Sequence, residues 1–191
     1  MNHRMNIVTT LIGARGCGKT TFIRKLIDKL RAKNKSKKVL IVDTIDHPAY
    51  RDVPVLTIDQ LKKWKANAGG FYRIYGSNTQ EIFEAVNIYI FNALIVYEDA
   101  SKYIGTEKLP ADVKGFLFDS KQKNLDIIFM FHAWGFVPND LFRINDMITF
   151  FKTKDNPEAK KNFLPFDLIK NEYKLVQASD DKYINRTVQI N

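Results

Sequence analysis

Ile7-Val8-Thr9-Thr10-Leu11-Ile12-Gly13-Ala14-Arg15-Gly16-Cys17-Gly18-Lys19-Thr20-Thr21 decides how the rest of this chain is read. Residues 6–12 form a short apolar run of strand length. Residues 19–32 place Phe22, Ile23, Leu26, Ile27 and Leu30 at helical spacing. Between them, Gly13-x-x-x-x-Gly18-Lys19-Thr20 has the spacing of a phosphate-binding loop. Glycine is needed there because the backbone turns tightly and must present its N–H groups to phosphate oxygens. The start of the following helix adds partial positive charge at the same place. A chance glycine turn would lack the strand before it and the amphipathic helix after it, and both are present.

Roles within the loop follow from reach and chemistry. Gly13, Ala14, Arg15, Gly16, Cys17 and Gly18 are expected to wrap the phosphates of a nucleoside triphosphate, read as ATP. Lys19 can reach the β- and γ-phosphates, the Thr20 hydroxyl suits Mg2+, and Thr21 suits the α-phosphate. Cys17, the one cysteine of the chain, sits at a variable position and reads as a spectator, since this chemistry needs no thiol. A lone cysteine also excludes an intrachain disulfide, which fits a reducing compartment.

A second signal lies at residues 93–100, Ala-Leu-Ile-Val-Tyr-Glu-Asp-Ala, a buried strand ending in paired carboxylates. This is the form of a Walker B element. Glu98 is expected to hold the hydrated Mg2+ together with Thr20, and Asp99 to polarise the attacking water. Two alternatives stay open. Asp99 can instead cap a following helix, and Asp43, at the end of the apolar run 39–43, is a rival metal partner.

Further along, strand-like and helix-like segments alternate. This predicts an α/β fold of the P-loop NTPase kind: a mostly parallel central sheet flanked by helices, with a C-terminal β-hairpin. Strands are expected at 39–43, 53–58, 71–75, 93–97, 125–131 and 146–152. Helices are expected at 60–66 behind an Asp59 cap, from Asn78 or Thr79 to about 92, at 110–123, at 139–144, and starting over 157–163. The hairpin is read from alternation in 173–178 and 183–190 around Asp180-Asp181. With no repeat, low-complexity block or linker in view, residues 1–191 read as a single domain.

Composition bounds the partners. A 45% hydrophobic content over 191 residues supports a real core and excludes a disordered chain. The net charge of +9, from 30 Lys+Arg against 21 Asp+Glu, favours polyanions, DNA foremost. The plainer reading is a lysine-rich skin, and the run 33–38 reads as a solvated turn rather than a DNA-tracking loop. The apolar stretch 7–12 is too short for a signal segment. No run approaches the roughly 20 residues needed to span a bilayer, so no transmembrane segment and a cytoplasmic location are expected.

From residue 7 to about residue 154 the chain resembles the additional-strand P-loop ATPases of the FtsK/HerA type. The likeness is to the small viral genome-packaging ATPases in particular and, more loosely, to zonula-occludens-toxin-like phage proteins. It is carried by the phosphate loop, by Glu98-Asp99-Ala100 and by residues 121–152. Within that last segment, 125–131 resembles the strand that ends in the family's polar sensor. Pro138-Asn139-Asp140-Leu141-Phe142-Arg143-Ile144-Asn145-Asp146 resembles its Pro…Leu-Arg-x-Asn stretch. The resemblance implies a ring-forming motor that moves DNA, with sites between subunits. It assigns His132 to the sensor position, and Arg143, or the pair Lys121/Lys123, to the cation that completes a neighbouring site. The chain departs from the usual pattern in its Glu-Asp order, in a histidine at the sensor, and in lysines where a trans-acting arginine is usual.

The expected function is therefore an ATP-hydrolysing DNA translocase that packages a viral or mobile-element genome. It would work as a homo-oligomeric ring in the host cytoplasm, recruited by a capsid or portal partner. A nucleoside or nucleotide kinase is an alternative, although the eight arginines form no lid-like cluster. A non-motor, nucleotide-binding assembly protein is another. Among the plainer readings, His132 is simply a hydrogen-bonded histidine, Arg143 only pairs with Asp140 or Asp146, and Trp134 and Phe136 are core or interface aromatics; Tyr50, after the strand 39–43, is read as a contact for a base or DNA.

Overall fold

The computed structural model describes residues 6–43 and 45–190. Residues 1–5, 44 and 191 lie outside them. The elements follow in the order β1 (Val8–Ile12), α1 (Lys19–Lys33), β2 (Lys38–Asp43), α2 (Ile58–Lys63), β3 (Gly70–Tyr75), α3 (Thr79–Tyr89), β4 (Ala93–Tyr97), α4 (Ser101–Ile104), α5 (Ala111–Asp119), β5 (Leu125–Phe131), α6 (Asn139–Phe142), β6 (Met147–Phe151), α7 (Phe166–Ala178) and β7 (Asn185–Gln189).

Runs such as Val39-Leu40-Ile41-Val42 have no polar face, so they are stable only in a sheet covered on both sides. The strands form one seven-stranded sheet in the order β3-β2-β4-β5-β1-β6-β7. The first six are parallel, and β7 pairs antiparallel with β6. Alternate side chains of each strand divide between two cores. Val39, Ile41, Leu94, Val96, Ile128 and Met130 pack with Ile23 and Ile27 of α1. Leu40, Val42, Ile95, Tyr97, Ile127 and Phe129 pack on the other face with the remaining helices. Tyr97 and Phe129 stack there at 5.2 Å between centroids, and Trp134 is fully buried in the same core, so its plainer reading holds.

A parallel sheet collects the C-terminal ends of its strands along one edge, where ligand sites form. Here β5 lies between β1 and β4. The end of the loop strand and the end of the acidic strand are thus separated by two strand spacings, about 10 Å. His132, directly after β5, stands in that gap. No helix among the described residues is long and apolar enough to cross a membrane.

Three sequence expectations are corrected. Residues 53–58 are not a strand: only a single bridge joins Val55 to Arg73. Pro54 has no N–H to donate, and Thr57 ends the run by capping α2. That cap replaces the expected Asp59: Thr57 Oγ1 accepts the Gln60 N–H at 3.2 Å, and the Gln60 side chain accepts the Thr57 N–H at 2.9 Å. Asp59 lies in the first turn and pairs with Lys62. Lastly, 173–178 is not a hairpin arm but the end of α7. Ile169, Tyr173 and Val176 repeat at helical spacing with Ile169 and Val176 buried, and that period outweighs the local alternation. The antiparallel C-terminal pair does exist, formed by β6 and β7.

Thr57→Ala removes one half of a reciprocal cap and is expected to cost about 1 kcal/mol. Chemical denaturation, with an unchanged slope and a lower midpoint, is the measurement that checks it.

Lys38 was read as part of a solvated turn, yet its side chain is buried. It lies 4.2 Å from the Trp64 ring centroid and donates to the carbonyls of Trp64 and Lys65. Burial pushes its pKa down to about 8.

Candidate functional site

The loop after β1 is shaped by its glycines. Gly16 (φ 77°) and Gly18 (φ 93°) occupy the left-handed region that side chains resist. A Cβ on Gly13 would fall 2.6 Å from Cys17 Sγ and 2.8 Å from Phe151 Cβ. The loop is pinned to both neighbouring strands: Gly13 N–H donates to Phe131 O (3.1 Å) and Ala14 N–H to Lys152 O (2.9 Å). Cys17 N–H donates to Ala14 O. Among the described residues no protein acceptor takes the amides of Gly16, Gly18, Lys19 or Thr20. The expected phosphate-binding set therefore divides. Gly13, Ala14 and Cys17 hold the loop in shape, whereas Arg15, Gly16, Gly18, Lys19, Thr20 and Thr21 line a cavity of about 580 Å3. The Cys17 thiol is buried, and burial raises its pKa, which suits the spectator reading.

Lys19 is buried with its ammonium turned toward the loop. Nζ donates to Gly13 O (2.6 Å) and Ala14 O (3.0 Å) and lies 3.4 Å from His132 Nδ1. Burial lowers the Lys19 pKa, while Cys17, Glu98 and Asp99 act to raise it. His132 Nε2 lies 3.9 Å from Asp99 Oδ1. Burial, then the charge on Lys19, hold the His132 pKa below its ordinary value, so the ring is neutral at pH 7. A proton on Nε2, with Nδ1 accepting from Lys19, satisfies both neighbours.

The acidic pair diverges as its strand-end position requires. Glu98 Oε1 accepts from Thr20 Oγ1 at 3.3 Å and from the hydroxyl of Tyr50. Tyr50 is fully buried, and burial with the nearby Glu98 charge drives its pKa far upward, so it remains a donor. Desolvation raises the Glu98 pKa, with the Tyr50 hydrogen bond opposing it. Asp99 adopts φ 50°. Its Oδ1 accepts from Ser101 Oγ (2.9 Å), and its Oδ2 lies 3.4 Å from Lys102 Nζ. No side chain caps α4, so Asp99 faces the cavity instead of serving as a helix cap.

The rival carboxylate also borders the cavity, but both its oxygens are taken up by a turn. Asp43 Oδ1 accepts the Ile45 N–H (3.3 Å) and Oδ2 the His47 N–H (3.0 Å), with Arg73 at 3.9 Å. Its oxygens fix the turn that carries Tyr50 to Glu98. Arg73, which sequence reasoning passed over, is buried and ties Asp46 and the Val53 carbonyl into that turn. Tyr50, weighed above as a base or DNA contact, is corrected to a buried partner of Glu98. Tyr183, which lines the cavity from just before β7, was missed as well. No local signal marks any of these three, because each meets the site only through distant chain.

Arg143 does not join the cavity. It follows α6, and three residues later Asp146 accepts the Val8 N–H at the start of β1. Arg143 thus stands at the end of the sheet opposite the phosphate loop, exposed, with its guanidinium 5.9 Å from the Phe163 ring centroid. Lys121 and Lys123 precede β5 at that same end, and Lys123 Nζ donates to the Asn87 carbonyl.

No protein-family model matches this chain, and no curated protein matches it in sequence. Solved structures do. The genome-packaging NTPase B204 from Sulfolobus turreted icosahedral virus 2, in complex with ATPγS, superposes with a TM-score of 0.75 at 15% identity, covering 100% of this chain and 94% of that one. The DNA-packaging ATPase B204 of Sulfolobus turreted icosahedral virus gives 0.72 at 12% identity, covering 98% and 94%. The pCW3 conjugation coupling protein TcpA, in its monomer form with ATPγS, gives 0.63 at 7% identity, covering 99% of this chain and 59% of that one. At these identities the likeness is one of fold. The fold is that of the packaging NTPases, in agreement with the resemblance drawn from the sequence.

Proposed function

We propose that this chain is an ATP-hydrolysing DNA translocase that packages a viral or mobile-element genome. It acts as a single domain, assembled into a homo-oligomeric ring in the host cytoplasm and docked on a capsid or portal. The observation that carries the reading is the meeting of Lys19, Thr20, Glu98 and His132, from the ends of three strands, in one cavity over free loop amides.

Each residue then has a chemical task. The loop amides and Lys19 hold the β- and γ-phosphates. Among the described residues no group of three or more His, Cys, Asp or Glu could form a metal cage. The oxygen pair of Thr20 and Glu98 instead suits Mg2+, which keeps water and phosphate ligands and needs few from protein. Bound there with the nucleotide, Mg2+ would neutralise charge on the phosphate oxygens. Neutral His132 and Asp99 border the same space and are suited to orient a water against the terminal phosphate. Arg143 faces away from its own cavity and would serve a site only from a neighbouring subunit, where a cation stabilises the transferring group.

DNA as the polymer moved is supported by the net charge of +9 and by the fold. The test is steady-state ATP hydrolysis with and without duplex DNA across a salt series. Hydrolysis is expected to rise severalfold with DNA at low salt, the gain shrinking as salt increases. Rings that hydrolyse ATP at one rate whatever the DNA concentration would end the translocase reading.

A further inference from the structure

We infer that Tyr183 is the nucleoside end of the site: an aromatic face on which the base of the bound triphosphate stacks. The inference rests on the nucleotide reading above and extends it to a part of the ligand the phosphate loop does not touch.

The cavity has a chemical direction. Glu98, Asp99 and His132 stand at one end, where the reach of Lys19 puts the terminal phosphate. Gly18 and Thr21 stand further along, over the start of α1, where the α-phosphate falls. The nucleoside must leave the loop beyond them, and Tyr183 is the side chain against that end. A Cβ built on Gly18 would come within 2.9 Å of Tyr183 Cδ1, so the ring edge rests on the bare α-carbon of the loop. Lys182 Nζ lies 4.7 Å from the ring centroid, over one face. The second face is left for a ligand, on a residue that is 53% exposed beside the cavity.

An exposed tyrosine is often only a surface residue. This one is held in place by its own segment. Asp181 Oδ1 accepts the Tyr183 N–H (2.8 Å), Ser179 Oγ accepts the Asp181 N–H (3.1 Å), and Lys152 Nζ donates to the Ser179 carbonyl. Immediately afterwards β7 locks onto β6. A ring fixed by its backbone on both sides loses little freedom when a base stacks on it. Stacking uses the π-face that every base carries, so the platform accepts adenine and guanine alike.

Calorimetry with ATP, GTP and inorganic triphosphate, on wild type, Tyr183→Phe and Tyr183→Leu, tests the inference. Leucine keeps Gly18 covered but has no π-face. Tyr183→Leu is expected to bind ATP and GTP about tenfold more weakly and inorganic triphosphate as wild type does, while Tyr183→Phe binds all three normally. Unchanged ATP affinity in Tyr183→Leu overturns the inference. So does an equal loss for ATP and inorganic triphosphate, which would mark Tyr183 as a support for the loop. Failure of the nucleotide reading itself looks different: wild type would then bind none of the three.

Discussion

Glu98→Gln is expected to lower ATP hydrolysis by at least about a hundredfold, to leave ATP binding nearly intact, and to raise thermal stability. The three effects share one cause. Glutamine keeps an oxygen for the Tyr50 and Thr20 hydroxyls, so the local geometry survives. It removes the negative charge that would balance a divalent cation, so the chemical step suffers. It also removes a carboxylate whose pKa is raised because burial penalises its charged form. A group with a folded pKa above its unfolded value contributes favourably at low pH, and that contribution is lost as pH rises through the folded pKa. Above that point wild type carries the desolvated charge and the glutamine variant does not. A gain of about 1 kcal/mol, or about 3 °C in Tm for a chain of this size, is expected at pH 7. The gap should close as the pH falls toward the ordinary carboxylate range. If hydrolysis survives in Glu98→Gln and disappears in Asp43→Asn, the metal role passes to Asp43, against the hydrogen bonds that now occupy its oxygens.

Lys19→Ala should go further, abolishing measurable hydrolysis, a loss of at least about a thousandfold, and weakening ATP binding at the same time. Its ammonium lies where the loop carbonyls, His132 and the acidic pair converge, and no other buried cation lines the cavity among the described residues. The alanine variant leaves the Gly13 and Ala14 carbonyls short of a donor, at a cost of about 1 kcal/mol to the fold. Circular dichroism and a melting curve therefore belong beside the kinetic assay. Lys19→Arg should be nearly as poor an enzyme, since a planar fork cannot occupy a pocket built around a point charge. A Lys19→Ala protein that folds and still hydrolyses ATP at the wild-type rate would refute the phosphate-loop assignment.

The parts of this fold that could be read from sequence are those encoded locally. The runs at Val39–Val42, Ala93–Tyr97 and Leu125–Phe131 are apolar at every or nearly every position, which suits only a strand covered on both faces, and each is such a strand. Glycine spacing fixed the loop because backbone angles are set residue by residue. The alternation at 173–178 misled because a short amphipathic helix end can mimic period two, and the deciding contacts of Ile169 and Val176 lie in the tertiary core. In the candidate site, the meeting of Lys19, Thr20 and Glu98 could be read ahead because each stands in a local strand-end or loop pattern. Tyr50, Arg73 and Tyr183 could not. Tyr50 reaches Glu98 across 48 positions, and its role exists only once Asp43 has fastened the intervening turn.

The strand order also governs how the molecule comes to be. β1 is made first, yet both its partners, β5 and β6, belong to the second half of the chain. Contacts that seat it span 119 positions from Ile7 to Asp126 and 138 from Val8 to Asp146. Closing such loops is costly in entropy and slows folding. A nascent chain would present β1 as an unpaired, apolar strand until β5 and β6 arrive, the condition under which intermediates aggregate. Ribosome-stalled fragments ending before β5 should therefore be chaperone-dependent and protease-sensitive, acquiring protection in one late step as β1 is finally flanked on both sides.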